Sequence, residues 1–378
     1  MNTICGYRNV FLEIGKSEVE IEERLQKIFN EIYYGEDKFF YTTPDGKMGY
    51  LVDTGNNDTR TEGISYGMMM CVQLNKKKEF DLLWNWAMTN MYMQDGENKY
   101  YFAWSVATSG EKNAYGPAPD GEEYFAMALI FAAHRWGNSD GIYNYQHMAK
   151  ELLRDCIHHR ELYGGDDMWT KDGLIKFVPS LDFTDPSYHL PHFYELFAEN
   201  CYEEDADFWK MAAQASRKFL QKACHSETGL SAEYSDYEGH PQPTGDQFGG
   251  RHDWYYSDAY RTIANISLDY EWFSKDTEYG EWSRMEANRF LRFFDSLPKE
   301  NRRKIYEVDG TVIDEDALHP VAMTAVNAEA ALAADWDLAK EYVEEFWNTP
   351  LRKGNRRYYD NCLYMFAFMA LSGNYRIW

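Results

Sequence analysis

Twelve stretches of helical periodicity alternate in character along the chain, and this alternation constrains the fold more than any other feature. Every second stretch is apolar almost all round, as in ISYGMMMCVQL (64–74), YFAMALIFAA (124–133) and LYMFAFMALSG (363–373). The stretches between them, such as EVEIEERLQKIF (18–29), have one apolar face and one charged face. A helix that is apolar all round must be buried, whereas an amphipathic helix covers a core. Six buried and six covering helices predict an all-α fold, an (α/α)6 barrel with an inner and an outer ring.

The bounds of these stretches follow from their periodicity and their caps. They are 17–34, 63–75, 78–92, 121–136, 143–158, 187–200, 205–222, 258–270, 279–297, 320–334, 336–347 and 359–372. Ser17 and Glu20 have the spacing of a capping box at the start of the first stretch. A helical solenoid is the alternative to a barrel, but its helix pairs would show a repeat at the residue level, and the sequence shows none.

Strands are predicted only as short β-hairpins in the loops. The strongest candidate is KIYEVDGTVI (304–313), which turns at Asp309-Gly310. No stretch rich in Pro, Gly or Ser divides the chain. Residues 1–378 are therefore predicted to form a single (α/α)6-barrel domain.

The residues that precede the buried helices form the most informative set in the chain. Because neighbouring helices of such a barrel run antiparallel, all inner helices begin at the same end, and these residues gather there. They are Arg60 and Glu62; Asp120 and Glu123; Asp185, Tyr188 and His189; Asp258 and Arg261; His319; and Arg356, Arg357, Tyr359 and Asp360. An Asp at a helix start is most often an N-cap, and Asp120 with Glu123 has the spacing of a capping box. Glu62 is harder to explain as a cap, since Glu is not among the preferred N-cap residues.

Two carboxyl groups that face each other across a cleft are what the hydrolysis of a glycosidic bond requires. One must be protonated, so that it can give its proton to the leaving oxygen, and the other must be ionised to attack or to activate water. A helix N-terminus lowers the pKa of a glutamate, whereas neighbouring carboxylates raise it. A glutamate that serves as the acid at this end of the barrel would stay protonated because neighbouring carboxylates and aromatic walls raise its pKa.

Composition narrows the class of partner. The chain has 38 Lys and Arg against 62 Asp and Glu, a formal net charge of −24, which argues against nucleic acid and against an anionic membrane surface. Aromatic residues make up 17% of the chain, with 12 Trp and 30 Tyr, and such rings stack on sugars. The six Cys form no CxxC pair, and no segment has the pattern of a signal peptide or a membrane span. We therefore expect a cytoplasmic protein with reduced thiols, and a monomer is favoured.

Three motifs resemble the signatures of glycoside hydrolase family 8: TEGISYGMMM (61–70), GPAPDGEEYFAMAL (116–129) and YSDAYRT (256–262). Their order and spacing agree with that family, whose fold is the (α/α)6 barrel, and the similarity extends through nearly the whole chain. Three further segments resemble the branch of the family that releases xylose from the reducing end of xylo-oligosaccharides: DPSYHLPHFYELF (185–197), LHPV (318–321) and residues 346–378. The stretch GDQFGGRHDWYY (245–256) is slightly longer than that branch predicts, a departure that concerns the cleft wall.

The family is inverting, and by the resemblance Glu62 is its general acid and Asp258 its general base. In a single displacement Asp258 would deprotonate a water on one face of the −1 xylose, while Glu62 protonates the glycosidic oxygen on the other face. Carboxyl groups with these roles stand roughly 6.5–9.5 Å apart. Trp104 and Trp254 are candidate sugar platforms. No metal or organic cofactor is needed, and the implied substrate is a β-1,4-linked xylo-oligosaccharide.

The resemblance also implies four binding residues. Asp120 resembles the Asp that binds the sugar in subsite −1 and favours its distortion, and Tyr188 resembles the Tyr that helps to hold the nucleophilic water. Arg261, which follows the base, is expected to orient carboxylates. His319 lies in a loop that closes the cleft beyond the +1 sugar in the exo-acting branch, and it is expected to contact the reducing-end hydroxyl.

Other functions compete with this interpretation. GISYG (63–67) matches the G-x-S-x-G nucleophile elbow of serine hydrolases, but the polar segment before it has no strand signal. A carbohydrate-binding protein without catalysis would not need both an acid and a base. An endo-acting family 8 enzyme (a xylanase, endoglucanase, licheninase or chitosanase) is the main alternative, and we predict that the 304–320 segment blocks the cleft against it. His189 and His192 suggest a metal site, but with no third ligand in view a packing or sugar-binding role is favoured.

Overall fold

The computed structural model describes residues 6–243 and 251–378, which form thirteen α-helices and seven short strands. The helices are α1 (Val10–Glu13), α2 (Glu18–Tyr33), α3 (Thr61–Gln73), α4 (Lys77–Trp86), α5 (Pro119–Trp136), α6 (Tyr145–Tyr163), α7 (Pro191–Asn200), α8 (Ala206–Ala223), α9 (Tyr260–Asp269), α10 (Glu278–Ser296), α11 (Pro320–Glu329), α12 (Trp336–Asn348) and α13 (Arg357–Leu371). The strands are β1 (Phe40–Thr42), β2 (Gly49–Leu51), β3 (Asp58–Arg60), β4 (Ser105–Ala107), β5 (Trp254–Tyr255), β6 (Lys304–Glu307) and β7 (Val312–Asp316).

The odd-numbered helices from α3 to α13 form a closed inner ring. Each contacts the next one along the chain, and α13 contacts α3, which closes the ring. The even-numbered helices lie outside and contact inner partners, as α4 contacts α3 and α8 contacts α7. Every residue of α3 except Glu62 is buried, and every residue of α13 except Arg357 is buried. The predicted (α/α)6 barrel is therefore confirmed, with all-round apolar helices inside because only the barrel interior removes their whole surface from water.

One predicted helix is divided in the structure for a local reason, and another is longer than predicted. The stretch 187–200 is divided into a 3-10 turn, Pro186–Tyr188, and α7. Leu190 precedes Pro191 and has an extended φ of −117°, because a residue before proline is disfavoured in the helical region. The stretch predicted to end at 158 continues as α6 to Tyr163 across a non-helical residue, His158.

The strands form small antiparallel sheets. β1 pairs with β2, β3 pairs with β4, and β5, β6 and β7 form one sheet in that order. The hairpin predicted at 304–313 is present as β6 and β7, and Gly310 has a φ of +93°, a conformation that glycine adopts without strain. The departure noted in 245–256 falls largely on residues 244–250, which lie outside the described residues.

The described part of the chain has one dominant hydrophobic core. Its five described cysteines, Cys71, Cys156, Cys201, Cys224 and Cys362, are free and buried; Cys5 lies outside the described residues. The capping box of Ser17 and Glu20 is formed. Within the described ranges, no helix combines the length and the apolar character that a membrane crossing requires. Because the inner ring needs helices from both ends of the chain, we propose that the chain forms one domain.

A buried glutamate inside the barrel gives a first prediction. Glu329 at the end of α11 is 3% exposed, and burial raises its pKa to about 8. Since the unfolded pKa is near 4.3, Glu329 stabilises the fold fully below that pH, and the contribution is lost as pH rises towards 8. We expect Glu329→Gln to flatten the pH dependence of the unfolding free energy by up to about 1.4 kcal/mol per pH unit over this window.

Urea unfolding of the native and Glu329→Gln proteins at pH 5, 6, 7 and 8 measures this difference. Native protein should lose stability relative to the variant with each step upward. Parallel curves would show that the carboxyl is ionised in the barrel throughout.

Candidate active site

A cleft of about 520 Å³ lies at the end of the barrel where the inner helices begin. Each inner helix contributes to its lining from its first turn or from the residues just before it. These residues are Glu62, Asp120, Tyr188, Asp258, His319 and Tyr358. The parallel orientation of the inner helices thus brings together side chains that are far apart in sequence.

Arg261 on α9 connects the carboxyl groups of this cleft. Its Nη1 donates to Asp120 Oδ2 at 2.9 Å and to the Tyr66 hydroxyl at 2.7 Å. The same nitrogen lies 3.6 Å from Glu62 Oε2, and Nη2 lies 3.4 Å from Asp258 Oδ1. One buried guanidinium therefore contacts three carboxyl groups. It offsets the repulsion between those that are ionised, and it fixes where all three stand relative to one another.

Glu62 lies in the first turn of α3 and keeps its proton at neutral pH. Burial raises the pKa of Glu62 to about 8; the neighbouring Asp120 and Asp258 also raise it, while Arg261 and a hydrogen bond from Tyr358 act in the opposite direction. The Tyr358 hydroxyl donates to Glu62 Oε1 at 2.7 Å. A Cβ atom at Gly63 would lie 2.5 Å from that hydroxyl oxygen, so only glycine lets Tyr358 reach Glu62.

Asp258 is the more exposed member of the pair, with 28% of its side chain accessible. It lies in a 3-10 turn, Ser257–Ala259, just before α9. Because Glu62 and Asp258 contact the two ends of one guanidinium at 3.6 Å and 3.4 Å, their nearest oxygens cannot be further apart than roughly the 9.5 Å upper limit of inverting glycosidases. The pair therefore combines a protonated carboxyl group that is 15% accessible with a second one that is 28% accessible.

Asp120 does not act as the N-cap that the sequence suggested. The cap position of α5 is Ala118, and no side chain caps this end. Asp120 instead bonds to Arg261, and Glu123 accepts a hydrogen bond from Tyr194, so the predicted capping box is absent. α5 can approach α3 here because position 121 is glycine: a Cβ atom there would lie 2.5 Å from Thr61 Cβ.

Asp185 caps the 3-10 turn that carries Tyr188, since its Oδ1 accepts from the Ser187 N–H at 2.7 Å. Its Oδ2 lies 4.0 Å from Arg261 Nη2. Burial, with the nearby Asp258, raises the pKa of Asp185 well above its usual range. Tyr188 is buried, and its ring stacks near the Arg261 guanidinium at 5.5 Å. This turn thus forms the wall of the cleft next to Asp258.

His319 is held at the cleft by a residue from another inner helix. Its Nδ1 is 2.8 Å from Asp360 Oδ2 on α13. Asp360 Oδ1 accepts from the N–H groups of Val321 and Ala322 at 2.9 Å each, so it caps α11 in trans. With Nδ1 engaged, the Nε2 side of the His319 ring is the one left for a ligand.

The two candidate sugar platforms have different positions. Trp104 lines the cleft, next to Arg60. Trp254 is not among the lining residues, and the Arg251 guanidinium lies 4.7 Å from its ring centroid. The structure therefore places Trp104, and not Trp254, where a sugar ring could stack.

His189 and His192, the pair that suggested a metal site, are both buried and pack against neighbouring side chains. His189 contacts the hydroxyls of Thr184 and Ser216, and His192 lies against the rings of Phe193 and Trp272. Burial lowers the pKa of both histidines to about 3. No group of three or more His, Cys, Asp or Glu that could hold a metal occurs among the described residues.

The nucleophile-elbow motif is also structural. A short strand, β3, does precede it, so the absence of a strand was predicted wrongly; the strand forms because it pairs with β4, 47 residues further on. Ser65 is nevertheless fully buried inside α3, and its hydroxyl donates to the Glu62 carbonyl at 3.0 Å.

Sequence reasoning missed two residues of this site, Tyr358 and Glu233, and it named Asp360 without showing what Asp360 contacts. Tyr358 donates to Glu62, Asp360 contacts His319, and Glu233 accepts a hydrogen bond from the Asp258 N–H. Tyr358 and Asp360 belong to a helix start that was recognised, but nothing local showed their partners. Glu233 lies in an irregular segment after α8, where no periodic pattern marks it.

The chain is similar to known proteins along nearly its whole length. The family described as "Glycosyl hydrolases family 8" matches residues 31–373. The chain is 53% identical to the "Reducing end xylose-releasing exo-oligoxylanase" of Halalkalibacterium halodurans, over 98% of this chain and 94% of that protein. It is 51% identical to the "Reducing-end xylose-releasing exo-oligoxylanase Rex8A" of Paenibacillus barcinonensis, over 98% and 97%. A solved structure of Rex8A complexed with xylose superposes with a TM-score of 0.94, at 50% identity, over 98% of this chain and 97% of that one.

Proposed function

The chain belongs to glycoside hydrolase family 8, and we propose that it is an inverting hydrolase that releases xylose from the reducing end of β-1,4-xylo-oligosaccharides. The names of relatives at about half identity over nearly the full length support the substrate and the direction of attack. The observation that carries the proposal is the pair of unlike carboxyl groups, Glu62 and Asp258, at the two ends of the Arg261 guanidinium.

Glu62 is the general acid in this proposal. Its raised pKa of about 8 keeps it protonated at neutral pH, and Tyr358 fixes the orientation of the carboxyl group. It can therefore protonate the glycosidic oxygen as the bond breaks, which a carboxylate with an ordinary pKa could do only in acid. As pH rises through about 8 the acid ionises, and activity falls on the basic side.

Asp258 is the general base. It faces the cleft with more than a quarter of its side chain accessible, so a water can stand between it and the sugar. Tyr188 lies in the adjacent wall and supplies a hydroxyl for that water, while Asp120, held by Arg261, binds the −1 sugar. A single displacement by this water inverts the anomeric configuration.

Exo action is assigned to His319 and the loop that carries it. Leu318 and His319 line the cleft, and the β6–β7 hairpin precedes them in the chain. The buried Asp360 holds the ring, so the remaining imidazole nitrogen can bond to the reducing-end hydroxyl of a +1 xylose. A site of this kind prefers a free reducing end, because an analogue without the cyclic hydroxyl leaves a buried polar group without a partner.

One product analysis tests both the activity and the direction of attack. Xylotriose with an isotopic label in its reducing-end sugar should release labelled xylose and unlabelled xylobiose, the latter first as the α anomer. Xylotriitol, which lacks the cyclic reducing end, should be cut at least about 10²-fold more slowly. Release of unlabelled xylose, or equal rates on the two substrates, would assign the cleft to an endo-acting or opposite-end enzyme.

The setting of the enzyme is also part of the proposal. The free, buried state of the five described cysteines supports a reducing, cytoplasmic location. We also propose a monomer. Light scattering coupled to gel filtration and fractionation of the source cells measure these two properties.

A further inference from the structure

The turn that carries Asp258 has a strained backbone. Ser257, the residue before the base, has a φ of +36°, in a region that residues with a Cβ atom seldom adopt. Such conformations persist when the surroundings over-determine them, and they occur often at functional sites. The turn therefore depends on groups outside itself for its shape.

Two side chains from distant parts of the chain hold this turn. The Tyr359 hydroxyl donates to the Ser257 carbonyl at 3.3 Å. On the other side, Glu233 Oε1 accepts from the Asp258 backbone N–H at 3.3 Å. That N–H lies at the start of a helix, where backbone donors have no partner of their own.

Glu233 is itself firmly placed. It is 4% exposed, and it lies outside the set of residues that line the cleft. Its N–H donates to the Trp254 carbonyl at 3.0 Å. Its Oε2 is 2.8 Å from His252 Nδ1, and the His252 ring stacks on Tyr234 with a centroid distance of 4.3 Å. The Glu233 carboxyl group thus links the turn that carries Asp258 to the stacked rings of His252 and Tyr234.

We propose that Glu233 is a positioning residue for the general base, and that its reach to the Asp258 N–H, rather than its charge, is what the reaction needs. The inference rests on the proposed function, in which Asp258 activates the water. A carboxylate that moves by about 1 Å no longer aligns that water with the anomeric carbon, and such a displacement costs up to about 10²-fold in rate.

Two substitutions separate reach from charge. Glu233→Gln retains the length of the side chain: its amide oxygen can accept from the Asp258 N–H, and its amide N–H₂ can donate to the His252 ring. Glu233→Asp retains the charge but is one methylene shorter, so it cannot span the same gap. Asp236→Asn, in the same segment but with 42% of its side chain accessible, is the control for disturbance of the chain here.

The measurement is kcat and KM for xylotriose, with Tm for each variant. We expect Glu233→Asp to lower kcat by about 10–100-fold with KM within about threefold of native, and Glu233→Gln and Asp236→Asn to stay within about fivefold of native kcat. The inference is overturned if the Gln variant is as impaired as the Asp variant, if both are as active as native, or if kcat, KM and Tm fall together. If native protein releases no xylose from xylotriose, it is the proposed function that fails.

Discussion

Replacing Glu62 with glutamine is expected to lower kcat on xylotriose by about 10²–10⁴-fold, the range for loss of a general acid. Glutamine has the shape of the protonated acid and can still accept the Tyr358 hydrogen bond, so the fold should remain. It has no proton to give to the leaving oxygen. Steady-state kinetics at pH 6 and 7, where native Glu62 is protonated, measure the loss.

Glu122→Gln is the matched control for this substitution. Glu122 is also buried, and burial raises its pKa to about 8 as well. Its Oε1, however, accepts from the Phe102 N–H at 2.9 Å, away from the cleft lining. We expect this variant to retain activity within about tenfold of native, a small effect beside loss of the acid. Near-native kcat for Glu62→Gln, or an equal loss for both variants, would reject Glu62 as the acid.

Arg261→Met should have the largest effect on stability, a loss of about 3–5 kcal/mol of unfolding free energy at pH 7. Arg261 is 5% exposed, and its guanidinium is shared by Asp120, Glu62 and Asp258. Methionine fills much of the same volume but leaves these carboxyl groups without a counter-charge. Protonation relieves that repulsion, so the loss should be larger at pH 8 than at pH 5.

Urea unfolding of native and variant protein at both pH values tests this expectation. The control is Arg160→Met, which removes an exposed ion pair with Asp166 and should cost no more than about 1 kcal/mol. A loss no larger than that of the control, or one that does not depend on pH, would contradict a central electrostatic role for Arg261.

The barrel could be predicted because its cause is local. A stretch of twelve residues is long enough to show whether a helix is apolar on one face or all round, and six repeats of that contrast leave few architectures. The gathering of Glu62, Asp120 and Asp258 followed from the antiparallel order of the helices. The break at Leu190 was also local, but the proline signal was overlooked.

The partners within the site could not be predicted in the same way. Asp120 with Glu123 has the spacing of a capping box. Asp120 instead accepts a hydrogen bond from Arg261, which lies 141 residues further along the chain. A charge-assisted hydrogen bond to a buried guanidinium is stronger than a bond to one helix N–H. Nothing in the segment around residue 120 shows that this competitor is present.

By itself, the sequence determined the class and order of the helices, the end of the barrel that holds the chemistry, and the candidates for acid and base. Only the tertiary structure decided that Glu62 has a raised pKa, which aromatic ring faces the cleft, and that Glu233 accepts a hydrogen bond from the Asp258 N–H. Helix character depends on neighbours within a few turns, whereas a pKa depends on burial and on charges that arrive from every part of the chain. Glu62 and Asp258 both carry a carboxyl group. The fold raises the pKa of Glu62 to about 8 and leaves Asp258 more accessible to solvent.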